Sequence, residues 1–174
     1  MKGFVKNSSA LRAMFEEGVK MAAVYGKDNV YDFSLGNPNV PAPDCVKQAI
    51  LDIINEEDPV MVHGYMPNAG YLDVRTAVAD SLNRRFGMDY GPENILMTVG
   101  AASGLNDILK TILNPGDQVL TFAPFFVEYS SYVKNYDGEL VVVPPDTSTF
   151  QPDLEEFEKR INHRTKAVIV NNPN

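Results

Sequence analysis

A run of small residues, Gly100-Ala101-Ala102-Ser103-Gly104, lies between an apolar run at 95–99 and a helical pattern. Small side chains let a ligand approach the backbone, and the unpaired amides of a helix N-terminus favour an anion such as phosphate. The run lacks both the Lys-Ser/Thr pair of a Walker loop and the G-x-G-x-x-G dinucleotide fingerprint. It therefore indicates either a phosphate-binding turn or a tight strand-to-helix turn that binds nothing.

Two other predicted strands also end in residues that a ligand could use. Phe126 and the phenylalanine before it follow the apolar run at 118–122, where an aromatic ring either stacks on a planar ligand or packs in the core. Asn171 and the next asparagine follow the run at 167–170, where they either bind a ligand or form a turn. Ligands bind beyond the carboxyl ends of strands in open parallel sheets, so all three strand ends are candidate site positions.

Short apolar runs alternate with amphipathic stretches along the second half of the chain. Strands are predicted at 95–99, 118–122, 140–143 and 167–170. Helices are predicted from about residue 11 behind Ser8-Ser9, at 46–54, after Gly70 as far as Phe86, at 105–113, at 126–133 and at 154–161 behind Pro152-Asp153, and 31–35 is predicted to be extended. Strands that alternate with helices predict βαβ units and a parallel sheet.

Composition disfavours several classes of function. The 174 residues carry a formal charge of −8 without a cluster of Lys and Arg, so no nucleic-acid partner is expected. The single cysteine, Cys45, excludes an intramolecular disulfide, and its spacing from His63 and His163 indicates no metal site. No run approaches the roughly 18 apolar residues of a membrane span, and residues 1–7 contain no signal-peptide core. We expect no membrane association and a cytoplasmic location.

Several stretches, taken in order, resemble the pyridoxal-phosphate aminotransferases of fold type I, class I/II. Residues 32–38 are similar to the family's L-x-x-G-x-P loop, and 64–75 are similar to its Y-x-x-x-x-G-x-x-x-L-R segment, with Val74 where Leu is commoner. The small-residue run, the aromatic at 126 and the start of an N-x-P-N-N-P-T-G signature at 171–174 follow at the family's spacing. The order and spacing of these motifs carry the resemblance, which spans about residue 8 to residue 174.

The resemblance implies an α/β fold. The chain would form part of the mostly parallel-sheet large domain of a fold type I enzyme, preceded by an N-terminal arm and part of the small domain. Residues 1–45 would be the arm and a small-domain segment, and residues 46–174 would be the N-terminal part of the cofactor-binding large domain. In the family's sheet, later strands separate the one at 95–99 from the one at 167–170, so unpaired strand edges are expected.

The resemblance also implies a site for pyridoxal 5′-phosphate. The amides of Gly100, Ala101 and Ala102 would hold the cofactor phosphate, because neither alanine has the hydroxyl that some family members use. Phe126 takes the place of the aromatic that stacks on the pyridine ring, where Trp or Tyr is commoner. Tyr65 would reach the cofactor phosphate of the neighbouring subunit.

The implied substrates are an amino acid and a 2-oxo acid. Gly36 would lie beside the substrate carboxylate, and the role given to Tyr65 implies a homodimer.

The residues that perform the chemistry in the family are missing from this sequence. The asparagine that binds the cofactor O3′ would fall directly after Asn174, and the aspartate, lysine and arginine of the site lie further on. The lysine is the covalent anchor and the general base of the reaction. We therefore expect the N-terminal portion of an aminotransferase, without a catalytic residue and inactive by itself.

Three alternatives remain open at this point. Another fold type I enzyme, such as a C–S lyase or a cyclopropane-forming synthase, would share these motifs. A non-catalytic phosphate-binding or regulatory domain of aminotransferase ancestry would share them too. A generic doubly wound nucleotide-binding domain would leave Tyr65, Gly36 and the first ~90 residues unexplained.

Overall fold

The computed structural model describes residues 2–34, 36, 38, 40–149 and 151–172, with the backbone alone for 2–12. These residues form two compact units. The sheet unit comprises the described residues of Met1–Ala13 and Thr98–Asn174, and the helical unit comprises those of Met14–Met97. The predicted domain boundary between residues 45 and 46 remains a prediction about the family's domains.

The first half of the chain is helical. Its helices are α1 (Lys2–Tyr25), α2 (Asp44–Glu56), α3 (Pro59–Val62) and α4 (Leu72–Phe86), with single 3₁₀ turns at Lys27–Asn29 and Pro92–Asn94. The predicted start of the first helix is wrong, because α1 begins at Lys2 and runs through Ser8-Ser9. No proline interrupts residues 2–8, and serine is tolerated inside a helix as well as at its cap. The predicted helices at 46–54 and after Gly70 are confirmed as α2 and α4.

Gly70 and Arg75, both from the predicted Gly-to-Arg motif, form a corner at the start of α4. The guanidinium of Arg75 donates to the carbonyl of Gly70 (3.1 Å) and to that of Pro92 (2.6 Å). Gly70 has a φ of +94°, and a Cβ there would lie 2.6 Å from Cγ of Met97. The motif therefore has a local structural role, since glycine admits the Met97 side chain and the arginine binds two backbone carbonyls.

Substituting Arg75 with methionine is expected to lower the free energy of unfolding by about 1.5–3 kcal/mol, because two carbonyls lose a charged donor. Arg84→Met on the same helix is the control, since Arg84 is exposed, and we expect a change within about 0.5 kcal/mol. Urea unfolding followed by circular dichroism measures both. Equal losses in the two variants would show that Arg75 contributes only helix propensity.

The sheet unit follows the predicted strand–helix alternation. Its elements are α5 (Gly100–Ile112), β1 (Gln118–Phe122), α6 (Tyr129–Lys134), β2 (Glu139–Val143), α7 (Leu154–Arg160) and β3 (Thr165–Ile169). The strands form a parallel sheet in the order β2-β1-β3, which confirms the α/β class. The side chain of Asp153 caps α7 by accepting from the amide of Glu156 (2.9 Å), as Pro152-Asp153 predicted.

The core lies around the central strand β1. Val119 and Leu120 are fully buried, and Val119 packs with Leu109 of α5 and Val133 of α6. A central parallel strand is covered on both faces, which explains why four of the five residues of β1 are buried.

A polar group begins the same strand. Gln118 is buried, donates to Glu139 (2.7 Å) and accepts from Asn162 (2.7 Å), so its amide is satisfied at the amino end of the sheet.

Two elements predicted in the second half of the chain are wrong. Residues 95–99 form no strand, although Ile95 is extended (φ −111°, ψ 127°), and the Val99 side chain is almost fully exposed. A strand requires a ladder partner, and among the described residues this segment joins no ladder, although the amide of Met97 donates to the carbonyl of Ala69 (3.1 Å). The helix predicted from residue 126 begins only at Tyr129, because the turn after Pro124 intervenes.

Two further observations concern extended backbone. Residues 31–34 belong to no strand, and the carboxylate of Asp32 accepts from the amide of Ser34 (2.8 Å). Leu35 lies outside the described residues. Among the described residues, β2 and β3 each pair along one edge only.

No helix in the described part of the chain is long and apolar enough to cross a bilayer.

Candidate functional site

The N-terminus of α5 presents unpaired backbone donors. Ala101 and Ala102 lie exposed in its first turn, and no described residue outside the helix accepts from their amides. Val99, which precedes the helix, supplies no side-chain cap. The positive end of the helix dipole and these amides together suit an anion.

Gly100 differs from the two alanines that follow it. Its amide donates to the carbonyl of Thr98 (3.1 Å), and the Thr98 hydroxyl donates to the carbonyl of Gly100 (3.2 Å). Its φ of +78° favours glycine, while a Cβ there would meet nothing within 4 Å. Gly100 thus sets the entry of the chain into α5, and the free donors belong to Ala101 and Ala102.

Phe126 lies in the turn that follows β1. Its side chain is 46% exposed, and its ring meets Tyr129 edge to face at 5.7 Å. The neighbouring ring of Phe125 is half-buried and stacks on Tyr129 at 6.5 Å. The two phenylalanines therefore have different roles: Phe125 packs inward and Phe126 presents an accessible ring, as a stacking residue would.

Tyr129 connects the ends of two strands. It is buried, and its hydroxyl donates to Oδ1 of Asn171 (3.3 Å), two residues beyond the end of β3. Sequence reasoning missed this hydrogen bond, because 42 residues separate the partners. Asn174, the last residue of the predicted signature, lies outside the described residues.

Tyr65 and Gly36 belong to the helical unit. The side chain of Tyr65 is fully exposed between α3 and α4. Gly36 is exposed, and a Cβ on it would meet nothing within 4 Å. In the same loop, hydrogen bonds from Ser34 lower the pKa of the Asp32 carboxyl, which therefore stays ionised near neutral pH. The roles expected for Tyr65 and Gly36 remain predictions.

The described residues offer no metal centre. No group of three or more His, Cys, Asp and Glu among them is placed to hold a metal ion.

Comparison with known proteins identifies the family. Residues 28–174 match the model of the family "Aminotransferase class I and II". The chain belongs to this family. Enzymes of this family generally depend on pyridoxal phosphate.

Individual aminotransferases match over most or all of the chain. A probable aspartate/prephenate aminotransferase of Aquifex aeolicus is 33% identical over 84% of the chain, and the aspartate/prephenate aminotransferase of Thermus thermophilus is 30% identical over all of it. The crystal structure of an aminotransferase from Eubacterium rectale superposes with a TM-score of 0.92, at 40% identity over the whole chain.

The chain is much shorter than these aminotransferases. It spans 36% of the Aquifex protein and 45% of both the Thermus protein and the Eubacterium structure.

Proposed function

We propose that this chain is the N-terminal portion of a pyridoxal-phosphate aminotransferase that moves an amino group between an amino acid and a 2-oxo acid. The observation that supports this most is the family match over residues 28–174. The sheet unit agrees with it, because the first turn of α5 offers free amide donors and the turn after β1 offers an accessible aromatic ring.

The proposed cofactor site uses residues of the sheet unit. The amides of Ala101 and Ala102 bind the phosphate group, with the dipole of α5 behind them, and Gly100 holds the turn that exposes those amides. The ring of Phe126 lies against the pyridine ring by stacking. When bound, pyridoxal phosphate supplies the electron sink for bond changes at the substrate Cα. The residues of this chain bind and orient, and none of them is assigned a proton transfer.

Tyr65 and Gly36 extend the proposal to the substrate and to a second subunit. The full exposure of Tyr65 leaves its hydroxyl available to the cofactor phosphate of a neighbouring subunit in a homodimer. Gly36 lacks a side chain and is open on its Cβ side, so a substrate carboxylate fits beside it. The cytoplasmic location stays a prediction from the sequence.

Titration of the chain with pyridoxal phosphate tests the proposal. We expect chemical-shift changes in NMR spectra at the amides of Ala101 and Ala102 and at the ring of Phe126. No turnover is expected with an amino acid and a 2-oxo acid, because the anchoring lysine is missing. Borohydride reduction followed by mass spectrometry provides the check. Labelling of one lysine within residues 1–174, together with turnover, would contradict the proposal.

A further inference from the structure

We propose that Tyr129 is a positioning residue for this site, whose hydroxyl orients the carboxamide of Asn171 and whose ring places Phe126. Three observations come together here. Tyr129 is 9% exposed, its hydroxyl donates to Oδ1 of Asn171 at 3.3 Å, and its ring meets that of Phe126 at 5.7 Å and 78°. The identity of the ligand rests on the proposed function, whereas the geometry around Tyr129 stands on its own.

The hydrogen bond decides which atoms Asn171 offers to a ligand. A tyrosine hydroxyl that donates to Oδ1 leaves both N–H groups of the carboxamide as donors. No described residue accepts from Nδ2 of Asn171. Tyr129 therefore presents Asn171 as a donor to an acceptor oxygen of a bound ligand, beyond the carboxyl end of β3.

The ring contact ties the same tyrosine to the aromatic that would stack on the ligand. Phe126 is half-exposed in a turn without regular secondary structure, so its ring needs a neighbour to fix its orientation. Tyr129 supplies an edge-to-face contact from the first residue of α6, and Phe125 also stacks on Tyr129, with ring centroids 6.5 Å apart. One buried side chain of α6 thus contacts both the turn after β1 and the segment after β3.

The neighbouring Tyr132 provides a matched control. It lies on the same helix, and its hydroxyl donates to the carboxylate of Glu128 (2.9 Å) rather than to a strand end. Burial and Glu128 raise the pKa of Tyr132, so its hydroxyl remains a protonated donor at neutral pH. Tyr132→Phe therefore removes one phenolic hydroxyl without touching Asn171 or Phe126.

The test compares Tyr129→Phe, Tyr129→Leu and Tyr132→Phe in the 174-residue chain. In the absence of ligand, we expect Tyr129→Phe to move the NMR signals of the Asn171 side-chain amide and to leave the Phe126 ring signals in place. Tyr129→Leu should move both sets, and Tyr132→Phe neither. Unchanged Asn171 signals in Tyr129→Phe would overturn the inference whatever the cofactor result.

Titration with pyridoxal phosphate separates this inference from the proposed function. Tyr129→Phe is expected to weaken binding about threefold to tenfold, the range for one lost hydrogen bond. In a chain that already carries Asn171→Ala, Tyr129→Phe should cause no further loss of affinity for pyridoxal phosphate, because the tyrosine hydroxyl acts through Asn171. Absence of binding by the wild-type chain would contradict the proposed function. It would also contradict the part of this inference in which Asn171 and Phe126 are presented to a bound ligand. Tight binding by the wild type with equal affinity in Tyr129→Phe would overturn the inference alone.

Discussion

Substitution of Leu109 with alanine is expected to lower the free energy of unfolding of the sheet unit by about 2–5 kcal/mol. Leu109 is 2% exposed and packs against Val119 of β1 and Val133 of α6. The buried core of this unit is small, so few other side chains can close the cavity that the substitution leaves. The loss therefore includes both the lost burial and the cavity.

Ile108 offers a control one residue earlier on the same helix. Its side chain is 58% exposed, so Ile108→Ala changes composition and helix propensity without opening a buried cavity. We expect Ile108→Ala to change the free energy of unfolding by less than about 1 kcal/mol. Urea unfolding monitored by circular dichroism suits both variants, since the chain has no tryptophan to report by fluorescence. Similar losses in the two variants would mean that the core is not centred on Leu109.

The three strands of the sheet were predictable because their partners lie within the chain. The predicted strands at 118–122, 140–143 and 167–170 are mostly apolar, and each pairs in the structure as β1, β2 or β3. The strand β2 begins one residue earlier than predicted, and β3 begins two residues earlier and ends one residue earlier. Burial and pairing act on the same residues in these strands, so the sequence pattern carries both signals.

The segment at 95–99 shows the limit of that reasoning. Its apolar run has the composition of a buried strand, yet a run of this kind does not specify whether a ladder partner exists. Val99 is 95% exposed instead of paired. In longer relatives, residues after position 174 are the expected source of such a partner strand. The residue pattern within 95–99 carries no information about whether that partner is present.

The sequence indicated candidate site residues at three predicted strand ends, but not the contacts that these residues make. Small residues after the run at 95–99 indicated a turn before a helix, but α5 begins at Gly100 rather than at the predicted residue 105, so these small residues form its first turn. The amide of Gly100 donates to the carbonyl of Thr98. This hydrogen bond depends on the φ angle of Gly100, which residue types alone do not specify. The bond from Tyr129 to Asn171 joins distant positions, and local periodicity carries no information about such pairs.

The second large effect concerns the phosphate-binding role of α5. Ala101→Asp is expected to weaken binding of pyridoxal phosphate at least about tenfold, because a carboxylate would lie beside the proposed phosphate position. The same substitution should leave stability within about 0.5 kcal/mol of the wild type, since an acidic residue in a first helical turn favours the dipole. Loss of binding without loss of stability distinguishes this effect from unfolding.

Ala42→Asp is the matched control, since Ala42 is exposed in a loop of the helical unit and the substitution changes the net charge equally. Calorimetric titration with pyridoxal phosphate and thermal unfolding of both variants give the comparison. Added salt should reduce the difference in affinity between the two variants, because ions screen the interaction of an exposed charge with the phosphate. Equal affinities in Ala101→Asp and Ala42→Asp would exclude the first turn of α5 as the phosphate site. The ring of Phe126 would then have no anchored ligand to stack upon, and the cofactor assignment would fail with it.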